Sequence, residues 1–274
     1  MKKAFSLSEV LITIGIIGVV SILVIPTLVD NVHQRQWVNA LKYDYTIVNE
    51  GFRRMMALEG VDRFEMTSFF TAVRNCENRG CSDEEKAQLH SQYMLEVFKA
   101  FENITSTSSI QSSWPTSGSI QEHGECREHV GKGSAWYILS DESKRPRCVG
   151  MRQEVFRLNN GSTIRMSLYP EDAGDVPNPT TQLTSMVGQL TIDVNGMDNP
   201  NVFGRDAFMF VIGQNGLLYP YYSWEYAQYF ASKGEDVGAY YWKTNTDVAC
   251  NTHQASVGQG CAARIQEEGW KMNY

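Results

Sequence analysis

Basic charge is in short supply. The 274-residue chain carries 24 Lys and Arg against 31 Asp and Glu, a formal net charge of −7, with an isoelectric point near 5.3. A general nucleic-acid binder needs a basic excess to neutralise phosphates, so that class is set aside. Catalytic signatures are missing as well: no H-E-x-x-H, G-x-S-x-G, Walker A or G-x-G-x-x-G pattern occurs, and the five histidines form no recognisable set. No enzyme activity is expected. Long apolar runs are absent with one exception, and the mean hydropathy of −0.32 excludes a multi-spanning membrane protein. What remains, at 20% charged and 11% aromatic residues, is globular rather than disordered.

The exception is residues 5–29, FSLSEVLITIGIIGVVSILVIPTLV, where Glu9 is the single ionisable side chain. As a helix this run spans about 37 Å, enough to cross a hydrocarbon core of about 30 Å. A cleaved secretory signal is the simplest alternative. Its apolar region is shorter, however, and no small-residue cleavage site closes this run, which ends Ile25-Pro26-Thr27-Leu28. A carboxylate entering a bilayer costs about 3 kcal/mol on insertion scales, so Glu9 calls for a purpose. Pro26 removes one helical hydrogen bond and favours a kink. Gly15 and Gly18 loosen the helix or admit a neighbouring one.

In that context KKAFSLSEVLITIGIIGVVSILVIP resembles the processing and N-methylation signature of type IV prepilins and type II secretion pseudopilins. In that family a short basic leader is cut before a Phe, and the fifth residue of the product is Glu. Counted from Phe5, Glu9 is fifth, Gly18 fourteenth and Pro26 twenty-second. One position departs from the pattern: Ala4 stands before the cut, where the family has Gly. The resemblance implies a leader at residues 1–4, removed by prepilin peptidase with methylation of the Phe5 amine. It implies a membrane and filament-core helix over residues 5–29 and an extracytoplasmic head over residues 30–274. Glu9 would pair with the Phe5 amine of a neighbouring subunit during assembly. The implied partners are other pilin or pseudopilin subunits, the peptidase, the inner-membrane assembly machinery and, before assembly, the lipid bilayer. The implied location is the bacterial cytoplasmic membrane, with the N-terminus inside. Lys2 and Lys3 favour that orientation, while Arg35 and Lys42 beyond the run weaken the charge asymmetry. A membrane-anchored binding protein or adhesin using the same helix is the alternative of a different class.

Past the run, Trp37, Leu41, Tyr45, Val48, Phe52 and Met55 recur every three or four residues. They predict an amphipathic continuation over residues 30–58, with Asp44 among the polar residues off the stripe and Gly60 as its stop. Ser82-Asp83-Glu84-Glu85 opens a second predicted helix near residues 83–102. Residues 105–124, rich in Ser, Thr and Gly, read as a surface loop. Strands are predicted at Ala135–Leu139, Glu154–Leu158, Thr163–Leu168, Gln189–Val194, Ala207–Ile212 and Leu217–Tyr219. Asn159-Asn160-Gly161 marks a hairpin. A long helix followed by antiparallel strands makes the fold α+β, and the pilin-like head has that layout.

Six cysteines, Cys76, Cys81, Cys126, Cys148, Cys250 and Cys261, suit disulfides in a chain that leaves the cytoplasm. Pairing of sequence neighbours is the simplest scheme, and Cys250–Cys261 resembles the terminal loop closure of pilin heads. His123, Cys126 and His129 offer a weaker zinc alternative without a second Cys pair. Asp193, Asn195, Asp198 and Asp206, with Asn201, supply hard oxygens suited to calcium. The same residues are ordinary turn formers. This segment resembles loops in pseudopilin heads, some of which bind calcium; no other cofactor is expected. The aromatic group from Tyr219 to Phe230, with Tyr240, Tyr241 and Trp242, reads as core plus interface, with carbohydrate binding as its functional counterpart.

Overall fold

A computed structural model describes residues 7–82, 85, 88, 89, 92–94, 105–106, 135–137, 146–148, 154–158, 160–169, 183, 185–196, 202–245, 250 and 258–274. One helix, α1 (Leu7–Glu59, 53 residues), continues past Pro26 without ending there. Its first half joins no core among the described residues: the large apolar side chains from Leu7 to Val32 stand exposed. Its second half does the opposite, and Val38, Leu41, Val48, Phe52 and Met55 are buried in the head. The predicted stripe is therefore the face that packs. Gly60, at φ +67, ends the helix in a left-handed conformation that other residues adopt only with strain.

Asp44 corrects the polar-face expectation. It is fully buried, because the turn between two strands lies over that side of α1 and Asn160 Nδ2 donates to its Oδ1 at 2.7 Å. Helical spacing alone could not show that a second element covers this face.

After α1, Phe64 enters through a short 3-10 turn (Phe64–Met66), and α2 (Ser68–Asn78) follows, capped by Thr67 Oγ1 accepting from the Phe70 amide at 3.2 Å. Phe64 packs edge-on against Phe69 and Phe70 and lies 4.9 Å from the Phe52 ring. This ring cluster fastens α2 to the spine. Ser82 and Glu85 form a reciprocal capping box, each side chain accepting the other's backbone amide at 3.1–3.2 Å. Residues 85, 88, 89 and 92–94 are helical, as the capped start predicts.

The strands are β1 (Thr105–Ser106), β2 (Ala135–Tyr137), β3 (Pro146–Cys148), β4 (Glu154–Arg157), β5 (Thr163–Leu168), β6 (Met186–Asp193), β7 (Ala207–Gly213) and β8 (Leu218–Pro220). Among the described residues six form an antiparallel sheet in the order β1-β4-β5-β6-β7-β8, and β2 pairs with β3 separately. Thus Thr105 and Ser106, at the head of the segment expected as loop, pair with Phe156 and Arg157 as an edge strand. The β4–β5 turn closes at Asn160-Gly161, with Gly161 at φ +93. One sheet face presents Ile164, Met166, Leu190, Ile192, Phe208 and Phe210 to the second half of α1 and to α4 (Cys261–Glu267). On the other face, Val211 and Tyr219 meet α3 (Trp224–Ser232) through Tyr226 and Tyr229.

The spine also seals a sheet edge. The Leu218 amide donates to Asn49 Oδ1 at 2.8 Å, and Tyr45 Oη donates to the Leu218 carbonyl at 3.2 Å. Pro220 has no amide to offer. An edge strand that would otherwise invite pairing is thus capped by α1.

Candidate functional site

Three places hold the residues singled out from the sequence. The first is the free end of α1. Glu9 sits in the first turn, where the helix dipole favours a carboxylate. Gly18 and Pro26 follow within the exposed half, and a Cβ added at Gly15 or Gly18 meets nothing within 4 Å. Ala4 and Phe5 lie outside the described residues. By length and composition this is the one helix, among the described residues, able to cross a membrane; none of its most apolar window is buried.

The second place is the disulfide framework. Cys76–Cys81 and Cys250–Cys261 are bonded, with Cα separations of 5.2 and 4.7 Å. Cys148 ends β3, but Cys126 lies outside the described residues, as do His123 and His129. Arg264 organises the region around Cys250–Cys261. Its guanidinium donates to the Cys250 carbonyl and, at 3.2 Å, to the Asn273 carbonyl, and pairs with Glu268 at 2.9 Å. It also lies over the rings of Trp242 and Tyr274. The Tyr274 hydroxyl donates to the Gly204 carbonyl, and burial pushes its ionisation upward. Trp270 rests against Tyr45 of α1, with ring centroids 5.5 Å apart. The chain end is therefore stitched to the spine, which no local pattern announced.

The third place is the turn between β6 and β7. Asp193 and Asp206 are both fully buried, and the sheet register brings them to one end, where Val194 N–H donates to the Asp206 carbonyl at 2.8 Å. Asp206 Oδ1 accepts from the Val202 amide at 2.6 Å, the behaviour of a turn-forming aspartate. Asn195 is half-buried beside them, while Asp198 and Asn201 lie outside the described residues. Among the described residues, no three His, Cys, Asp or Glu side chains form a metal-sized group.

A fourth place gathers part of the aromatic group noted in the sequence into a cleft that the sequence reading did not foresee. Between α1, β8, α3 and α4 opens a cleft of about 550 Å³, lined by Tyr45, Tyr219, Trp224, Glu225, Tyr241 and Gln266, among others. Burial raises the ionisation of Tyr45 and Tyr219, and the negative charge of Glu225 adds to this. The aromatic residues were visible in the sequence; their convergence with Glu225 and Gln266 depends on α4 docking beside α3.

Comparison with protein-family models, with curated proteins and with solved structures gave no match.

Proposed function

We propose that this chain is a structural subunit of a type II secretion or type IV pilus-like filament, made as a prepilin. Cleavage hydrolyses the Ala4–Phe5 bond, and the new Phe5 amine is methylated. Loss of Lys2 and Lys3 then shifts the side-chain charge from −7 to −9. The head faces outward from the cytoplasmic membrane, and Glu9 meets the Phe5 amine of a neighbour as the subunit leaves the bilayer.

The observation that carries this reading is the sequence register of Phe5, Glu9, Gly18 and Pro26, the last three of which lie on a helix of two characters. Among the described residues the signature half packs on nothing, and the other half lies in the core of the head. A cleaved signal peptide fits poorly with this, since a cut near residue 28 would divide a continuous helix. The open space at Gly18 supports close approach of a second helix there. The two disulfides among the described residues fit a head outside the cytoplasm.

Mass spectrometry of the mature N-terminus tests the reading directly. A methylated chain beginning at Phe5 is expected; an intact Met1, or a cut near residue 28, overturns it. Glu9→Val should abolish incorporation into filaments while leaving the melting temperature of the head unchanged. An anchored binding protein would tolerate that substitution.

A further inference from the structure

We propose that the cleft between β8, α3 and α4 is a saccharide-binding site. Its volume of about 550 Å³ falls within the range of about 300–1,000 Å³ typical of small-molecule sites. Trp224 forms one wall. At 50% exposure, it is the one large apolar side chain beyond Met66 that stands exposed among the described residues. It is also held in place. The ring of Tyr241 meets it edge-on at 5.4 Å, and it opens α3, whose cap is Ser223 Oγ accepting from the Tyr226 amide. The preceding turn is strained: Tyr222 sits at φ 58, a conformation bulky residues avoid, and its carbonyl accepts from the Trp242 amide at 3.0 Å. A fixed indole face suits the polarised C–H groups on one side of a pyranose ring.

The polar groups beside it favour a neutral polyol over a cation. Glu225 is half-buried and has no hydrogen-bond or ion-pair partner among the described residues, so its oxygens are available as acceptors. Gln266 adds an amide, which both donates and accepts. Glu267, by contrast, already receives Lys243 at 2.9 Å and the Tyr241 hydroxyl at 3.0 Å. A site for a lysine or arginine of another chain would keep both carboxylates open. Here one is neutralised from within, leaving the mixture of donors and acceptors that sugar hydroxyls need.

This inference does not rest on the filament reading, and its readout is separate. The full chain is prepared in a zwitterionic detergent, because a maltoside headgroup would compete for the cleft. Saturation-transfer NMR then probes maltose, cellobiose, diacetylchitobiose and trilysine at millimolar concentration. At least one disaccharide is expected to bind, with affinity about tenfold weaker in Trp224→Ala and in Glu225→Gln. Met66→Ala, altering an exposed side chain elsewhere, should bind as the parent does. Glu225→Gln preserves shape and keeps the test open if Trp224→Ala fails to fold. Absence of saccharide binding overturns the proposal, as does saccharide binding indifferent to both cleft substitutions. Trilysine binding in place of the sugars overturns it too.

Discussion

Along α1, Leu7 and Ile22 leave about three-quarters of their surface uncovered, whereas Leu41, Val48 and Phe52 are completely buried. Both sets belong to one helix with one backbone geometry. The difference lies in side-chain distribution. From Leu7 to Val29 apolar residues occupy every face, so no orientation could bury them against a single sheet. From Trp37 to Met55 they follow one stripe, and a sheet can cover that. An all-round apolar helix needs an all-round apolar medium, such as a bilayer or a bundle of like helices. A striped helix needs only a partner surface.

The largest effect should come from trading substitutions between the two halves. Phe52→Ala, which removes a fully buried ring packed on Phe64, should cost the head about 3–5 kcal/mol. Ile16→Ala removes a comparable apolar group from the exposed half and should leave the head's stability unchanged. Urea denaturation of both variants in micelles, followed by near-ultraviolet dichroism, checks this. Equal destabilisation would mean that the first half packs on the head, and the contrast would collapse.

Breaking the disulfides comes next. Cys250–Cys261 closes a separation of 11 residues beside the Arg264 hub, and Cys76–Cys81 a separation of 5. Chain-entropy arguments give about 3 kcal/mol for the longer loop and about 2 kcal/mol for the shorter. The paired replacement Cys250→Ser with Cys261→Ser should therefore lower the melting temperature more than the equivalent change at Cys76 and Cys81. It should also expose the chain end, with Trp270 and Tyr274, to proteolysis. Membrane partition, a property of the other half of α1, should not respond.

Much of this contrast was legible in sequence, because it is local. The helical stripe, the Gly60 stop, the Ser82 capping box and the Asn160-Gly161 hairpin each depend on residues a few positions apart. All appear where the pattern puts them. What was missed depends on docking. Helix α2 is short, and Phe69, Phe70, Val73 and Cys76 form its buried face only because Phe64 and Phe52 receive them. Helix α3 lay hidden within an aromatic run whose rings, alternately core and wall, gave no single period. Helix α4 and the Arg264 hub gather residues from Gly204 to Tyr274, and Asp44 is buried by a turn far along the chain. The cleft belongs to this second kind: Tyr45, Trp224 and Gln266 meet only through tertiary packing.

Tyrosine ionisation sharpens the comparison without any mutation, and at neutral pH it contributes nothing. The exposed half of α1 contains no tyrosine between Leu7 and Val32, so phenolate absorbance reports on the head alone. Tyr45, Tyr219, Tyr221 and Tyr226 are all raised, first by burial, with Tyr221 pushed from 10.0 up to about 12. A phenol whose pKa is raised by burial leaves stability unaffected while both states are protonated, and costs the folded state once the unfolded chain ionises at the ordinary value and the buried ring does not. Stability is therefore intact below pH 10 and falls as pH rises from 10.0 toward about 12, where the unfolded chain loses protons that the folded one retains. The expected titration is late and cooperative, with phenolate absorbance appearing together with loss of near-ultraviolet dichroism. The helicity of the tyrosine-free half in micelles should persist beyond that transition, since its surroundings are lipid-like and hold none of these groups. A gradual titration centred on the ordinary tyrosine value would show that the rings against β7 and β8 are open to solvent.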